Sequence, residues 1–378
     1  MAWMIKEDKL DPDQRDFINT EINRTGNIWI QGFAGSGKSV MLIHALRTKL
    51  SGNPGLNVCV VVFTHSLIDM FKTGMKELGM SAVPVMTFHQ FIKGTGSYDY
   101  IFCDEVQDLP EHVLASMQRR SSHVFVAGDS NQSIYENTVS SNDIGNILSA
   151  RPFILSRIYR LTRSIMNAVS HLLPDLNIFS AKSDMTKVDV SVRLCKGDDK
   201  EEEVKFVWKL AKEATSEGNS AVVLLPKHDE IYEFIDMLLT SNGKTKWTKT
   251  LNSFGKPDYD NLNKHFLQHG IKAQYIGNSY GSFENAAENR HLIIMTYHSA
   301  KGMDFDNVYL PFMSNSTSFG KGDNKTLLMV ALTRSKKNLH ITYSGFLHTM
   351  IDKFKSTCTT IDIRGASAPI SSTINFDF

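Results

Sequence analysis

Cysteine is scarce in this chain. Cys59, Cys103, Cys195 and Cys358 lie far apart and form no C-x-x-C pair, which argues against a disulfide framework or a zinc site and suits reduced core thiols in a cytoplasmic protein. A long apolar run is also missing. The stretch Met1-Ala2-Trp3-Met4-Ile5-Lys6-Glu7-Asp8 has no extended hydrophobic segment, and no run approaches membrane-spanning length, so the expectation is a soluble protein that is neither exported nor inserted. An excess of one charge is the third absence. With 41 basic and 40 acidic residues, the formal net charge is +1, so any grip on a polyanion has to come from local patches and not from a field over the whole surface.

What is present is apolar material for a sizeable core. Of 378 residues, 42% are hydrophobic, and that length favours two domains. Short apolar runs alternate with helical patterns, which points to the α/β class with parallel sheets covered by helices. Strands are expected at 58–63, 100–103 and 124–127, and in a second series at 191–194, 221–225, 292–296, 308–310 and 339–343. A polarised surface helix is expected over 201–214, with acids first and lysines later. The stretch 138–146 is rich in turn formers and Arg151-Pro152 follows it, so the expected domains are 1–152 and 153–355. The second would carry a small basic and aromatic insertion at about 227–290. Residues 356–378, rich in Ser and Thr, form either a tail or an added edge strand.

The chemistry concentrates at Gly32-Phe33-Ala34-Gly35-Ser36-Gly37-Lys38-Ser39, a full match to G-x-x-x-x-G-K-[ST]. It follows a short apolar run, Asn27-Ile28-Trp29-Ile30, and precedes helical apolar spacing from Val40 to Leu50. Strand, glycine loop and helix are the context in which backbone N–H groups wrap a triphosphate. Gly35, Ser36 and Gly37 would form the cradle, Lys38 would reach the β/γ-phosphates, and the Ser39 hydroxyl would ligate Mg²⁺. The nucleotide implied is ATP. A second group, Asp104-Glu105-Val106-Gln107-Asp108, follows the apolar run from Tyr98 to Cys103. There Asp104 would hold the metal, and Glu105 would orient and deprotonate an attacking water. An acidic helix start would explain Glu105 and Asp108, but not their place after a buried strand.

The order of motifs resembles the superfamily 1 helicases of the UvrD/Rep type along nearly the whole chain. Leu10-Asp11-Pro12-Asp13-Gln14 is similar to the family's Q motif, in which Gln14 would read adenine; the same residues also spell a helix capping box. Val62-Phe63-Thr64-His65 resembles motif Ia, Thr87-Phe88-His89 motif Ib, and Asp104 to Asp108 motif II. Gly128-Asp129-Ser130-Asn131-Gln132-Ser133-Ile134-Tyr135 resembles motif III, and Ile158-Tyr159-Arg160 motif IV. Thr296-Tyr297-His298-Ser299-Ala300-Lys301-Gly302-Met303-Asp304-Phe305 resembles motif V, and Val330-Ala331-Leu332-Thr333-Arg334-Ser335 motif VI. The resemblance implies two RecA-like domains with the nucleotide in the cleft between them. Gln132 would sense the γ-phosphate, Arg160 and Arg334 would meet it from the second domain, Tyr159 would stack on the base, and Gly302 and Asp304 would border the ribose.

It also implies a single strand lying across both domains, with Phe63, Thr64, His65, Thr87, His89, Tyr135, Thr296 and His298 on its path. Each of these also has a plain reading as a strand-end or packing residue. Between Lys244 and Tyr275, lysines interleave with Trp247, Phe254, Tyr259 and Phe266, a pattern open to a nucleic-acid surface or to a solvated element with a small core. The chain departs from the family where 92–103 and 226–291 leave no room for large accessory domains. Glu136-Asn137-Thr138 also stands where Gly-Trp-Arg is usual, and Asp304 where Glu is usual. The reading is an ATP- and Mg²⁺-dependent translocase or helicase on single-stranded nucleic acid, DNA in preference to RNA, with 3′ to 5′ polarity and no membrane attachment. A protein partner could supply specificity. The rival is an ATP-driven switch or adaptor acting on a protein.

Overall fold

A computed structural model describes residues 3–129, 133, 139–159, 161–180, 182–183, 188–320 and 322–365. The first unit is a six-stranded parallel sheet of β1 (Asn27–Gln31), β2 (Val58–Val62), β3 (Val85–Thr87), β4 (Tyr98–Cys103), β5 (Ser121–Gly128) and β6 (Ala150–Ile154), in the order β3-β2-β4-β5-β1-β6. Val58-Cys59-Val60-Val61-Val62 is buried at every position, because helices cover both faces of a parallel sheet and leave its strands no solvent side. One face packs on the phosphate-loop helix Lys38–Gly52, and the other on the helices Glu111–Arg120 and Ser141–Leu148.

From Leu155 to Tyr159 the chain passes to the second unit along the phosphate loop. Leu155 N–H donates to the Gln31 carbonyl and Tyr159 N–H to the Gly35 carbonyl, each at 2.8 Å. On this path β7 (Arg157–Ile158) pairs with β8 (Lys182–Ser183). The second unit is a seven-stranded parallel sheet of β9 (Ser191–Gly197), β10 (Ala221–Leu225), β11 (Ala273–Tyr275), β12 (Leu292–Thr296), β13 (Phe305–Leu310), β14 (Ser335–Ser344) and β15 (Thr359–Asp362), in the order β11-β12-β10-β13-β14-β9-β15. The two units touch: Ala34 of the phosphate loop joins the second unit's core, and Met70 packs on both.

Several expectations shift. Most of the stretch expected to be rich in turns is helical: Ser140 caps the helix Ser141–Leu148 through its hydroxyl, and Ile144 and Leu148 are fully buried in the same cluster as Trp29. Packing outweighs the weak helix preference of Asn, Asp and Gly. Arg151 and Pro152 lie inside β6, paired beside β1, so the first unit's sheet runs to Ile154; at a sheet edge a proline costs no ladder bond. The segment 227–290 is woven into the second unit, since Trp247, Tyr259, Phe266 and Tyr275 are core residues and β11 extends the sheet. Of the C-terminal residues, 359–362 form the added edge strand β15 on β9, and 366–378 lie outside the described residues.

Candidate nucleotide-binding cleft

A cavity of about 670 Å³ opens between the two sheets, lined from the first unit by Gly35, Gly37, Lys38, Ser39 and Glu105, from the connector by Tyr159, and from the second unit by Gly302, Asp304 and Arg334. The phosphate loop bends through Gly35 and Gly37, whose φ angles of 75° and 89° fall where side chains are strained. At Gly37 a Cβ would also stand 2.8 Å from Gln14 Nε2. Lys38 Nζ donates to the carbonyls of Gly32 and Phe33 at 2.7 and 3.1 Å.

Gln14 forms the capping box that its sequence context spells. Its backbone N–H donates to Asp11 Oδ1 and its Oε1 accepts from the Asp11 N–H, so the capping box is formed. Its Nε2 is buried without a hydrogen-bond partner, as are Ser36 Oγ and Tyr159 Oη. Three such atoms around one loop are the state expected of groups waiting for a polar ligand, because buried polar atoms are otherwise satisfied. The donors and glycines present fit a nucleotide.

At the position expected to hold a metal, Ser39 Oγ donates to Asp104 Oδ2 at 2.6 Å. Asp104 is fully buried at the end of β4, and burial together with the neighbouring Glu105 charge pushes its carboxyl above the usual range. Such a group gains from a bound cation. One hydroxyl and one carboxylate suit Mg²⁺, which keeps waters and phosphate oxygens in its remaining positions. Glu105 has φ of 54°, a left-handed backbone uncommon for a residue with a side chain and frequent at functional sites. Gln107 Nε2 donates to its Oε2 at 2.5 Å. Burial would raise the Glu105 carboxyl, but the Lys301 and Lys38 charges, with Gln107 and Arg334, bring it below the ordinary glutamate range.

Arg334 is 1% exposed and donates to the Val330 and Met303 carbonyls and to Thr333 Oγ1. Three bonds to its own unit thus fix the guanidinium at the seam, where it also lines the cavity. Asp304 borders the same cavity, 3.7 Å from Lys336 Nζ. Gln132, Tyr135 and Arg160 lie outside the described residues. Lys301 and Asp108 lie inside motif segments but carry no local sequence signal of a shared role. The structure joins them: Lys301 Nζ lies 2.5 Å from Asp108 Oδ2 and 3.8 Å from Glu105 Oε2.

Family models agree with this two-part geometry. The viral superfamily 1 RNA helicase core domain matches residues 28–216, half of the chain, and the UvrD-like helicase C-terminal domain matches residues 245–345. The chain belongs to the superfamily 1 helicases. The chain resembles the PRRSV helicase at 14% identity, covering 86% of this chain and 54% of that one, with a TM-score of 0.46. It also resembles Arterivirus nonstructural protein 10 (helicase) solved with DNA, at 15% identity, covering 87% and 63% of the two chains, with a TM-score of 0.46. The chain therefore spans between half and two thirds of the length of these structures. No curated protein matches it at a significant level.

The residues expected on a strand path divide by environment. Phe63 stacks on Phe88 with ring centroids 5.1 Å apart, and His89 lies against the same Phe88 ring at 3.9 Å. His65 is exposed, close enough to His89 for the two charges to interact. Thr87 is buried and its hydroxyl caps the helix Phe88–Lys93, and Thr296 is buried with its hydroxyl on Ser299. Both of these fit local backbone control better than direct contact with a ligand. Thr64 Oγ1 is buried without a partner. Among the described residues no helix is long and apolar enough to cross a membrane.

Proposed function

We propose that this chain hydrolyses ATP with Mg²⁺ at the seam between its units and uses the cycle to move along single-stranded nucleic acid, with Phe63, His65, His89 and His298 along the strand's path. The observation that carries the reading is the convergence of Lys38, Ser39 and Glu105 from one unit, with Asp104 bonded to Ser39, on a cavity whose far wall holds Arg334 and Gly302 from the other. Phosphoryl transfer is catalysed mainly by positioning and by charge that meets the developing negative charge. Lys38 would bind the β/γ-phosphates, Gln14 and Tyr159 the base, and Glu105 would orient the attacking water and take its proton. Ser39 and Asp104 would hold the metal, which supplies charge neutralisation at the phosphates. Arg334 completes the site only when the units close, and release of phosphate lets them part.

The UvrD-like second half supports DNA and 3′ to 5′ movement, and the RNA-helicase likeness of the first half makes RNA the alternative to be measured. Phosphate release on a panel of DNA and RNA strands tests the reading. Strong stimulation by single strands is expected, and Lys38→Ala or Glu105→Gln should lower turnover by about a hundredfold or more. Undiminished turnover in either variant removes the site. Hydrolysis indifferent to every strand favours a switch directed at a protein.

A further inference from the structure

The lysine and aromatic pattern between Lys244 and Tyr275 divides in the structure. Trp247, Tyr259, Phe266 and Tyr275 enter the core, whereas Phe254 is 84% exposed. A single exposed phenylalanine needs no explanation, but this one is held out on a tied turn. Asn252 Oδ1 accepts from the Phe254 and Lys256 N–H groups at 2.9 and 3.1 Å. Asn252 N–H donates to the Lys256 carbonyl at 2.7 Å, and Gly255 N–H to the Asn252 carbonyl at 3.0 Å. An asparagine side chain that closes a turn in this way fixes where the residues after it point.

A second turn stands beside the first. Gly277 and Tyr280 exchange backbone hydrogen bonds at 3.1 and 2.8 Å around the exposed residues Asn278 and Ser279, whose φ angles are 51° and 72°. Two consecutive positive φ values make the tight hairpin turn in which Asn is favoured first and Gly second. Serine holds the second place here, a strained choice of the kind that gathers at ligand contacts. Asn252 Nδ2 donates to Tyr280 Oη at 2.8 Å, so the two turns are locked to each other. They also sit against the edge assigned to the strand: a Cβ at Gly277 would stand 3.0 Å from the hydroxyl of Ser299, the neighbour of His298. From 244 to 257 the chain carries Lys244, Lys246, Lys249 and Lys256 and no acid, and Lys256 is exposed two residues from Phe254. Phe254, Lys256 and Ser279 lie in none of the helicase motif segments.

We infer that the paired turns are an additional contact for single-stranded nucleic acid: an unpaired base stacks on the Phe254 ring, and the Ser279 hydroxyl and the Lys256 ammonium meet the adjoining phosphates. The inference rests on the strand-directed reading above and extends the strand's seat on the second unit past His298. Stacking accepts any base because every base has a π-face, and the lysine charge adds a salt-dependent attraction. Turns already fixed by their own hydrogen bonds lose little further freedom when a strand settles on them.

The test is fluorescence anisotropy with labelled oligo(dT) and oligo(U), beside phosphate release titrated with the same strands, for Phe254→Ala, Phe254→Trp and Ser279→Gly, with thermal melting of each. Phe254→Ala is expected to weaken strand binding about tenfold. The strand concentration for half-maximal stimulation should rise by the same factor, with kcat at saturating strand within about twofold of wild type. Phe254→Trp keeps a stacking ring and should bind within about threefold of wild type. Ser279→Gly relieves the backbone, so it should melt no lower than wild type while binding the strand about threefold more weakly. A Phe254→Ala protein that binds both oligonucleotides as tightly as wild type overturns the proposal, as does a Phe254→Trp protein no better than Phe254→Ala. In either outcome the wild type still binds and responds to a strand, and the reading of function stands; a wild type that neither binds nor responds to either strand fails both.

Discussion

Ser39 Oγ donates to Asp104 Oδ2 at 2.6 Å, so the hydroxyl after the phosphate-loop lysine and the carboxylate at the end of β4 are already in contact. A divalent cation would enter between one group at the start of the helix Lys38–Gly52 and one at the end of β4. Ser39→Ala is expected to raise the Mg²⁺ concentration for half-maximal phosphate release on the order of tenfold, the scale of single metal-site substitutions. A Mg²⁺ titration checks it, and an unchanged midpoint would remove Ser39 from the metal site.

Arg334 separates catalysis from structure only if its replacement preserves the buried bonds to Val330 and Met303. Arg334→Lys keeps a cation but not the planar fork. Turnover is expected to fall by about a thousandfold, near the lower limit for an arginine finger, with nucleotide affinity little altered. Arg334→Ala should also lower the melting temperature, because it strands buried carbonyls. Steady-state kinetics and melting of the two variants separate the contributions.

His340 sits in β14, stacked on Tyr309 and 8% exposed, and burial with the nearby Arg193 charge lowers its pKa to about 4. Above the unfolded value of about 6.5 both states are neutral and its environment costs nothing. As pH falls toward 4 only the unfolded state takes up the proton, so stability is lost, by roughly 3 kcal/mol over the window. His340→Phe should flatten the acid limb of a denaturation series between pH 6.5 and 4. An equally steep limb in the variant would assign the acid sensitivity elsewhere.

His65 is lowered by burial and by His89, and His298 by burial, Lys301 and His228, so both are neutral at pH 7. Protonation adds positive charge on the edge assigned to the strand, and binding of phosphates favours the protonated form. Strand affinity is therefore expected to rise severalfold as pH falls from about 7.5 to 5.5, with a steeper salt dependence at the lower pH. Fluorescence anisotropy with a labelled oligonucleotide measures it, and affinity that stays flat with pH would take these histidines off the path.

Much of this was readable in the chain, and the parts that were not share a cause. Ala221–Leu225 and Leu292–Thr296 are all-apolar runs, and strands covered on both faces need that pattern. The phosphate loop announces itself because its chemistry is local. The helix Ser141–Leu148 does not, since Ile144 and Leu148 gain their meaning from burial beside Trp29, more than a hundred residues away in sequence. Thr87 and Gln90 carry a legible capping box, yet the motif likeness placed Thr87 on the strand's path. The Lys301–Asp108 pair had no local signal, because neither residue's surroundings in sequence show which charge it meets.

The connector stitched along the phosphate loop has a mechanical consequence. With Leu155 tied to Gln31 and Tyr159 to Gly35, the tether joining the two lobes is also a wall of the cavity at the seam. In the proposed cycle any swing of one lobe against the other would tug on that wall, so that expulsion of spent nucleotide and the power stroke would draw on the same few backbone amides.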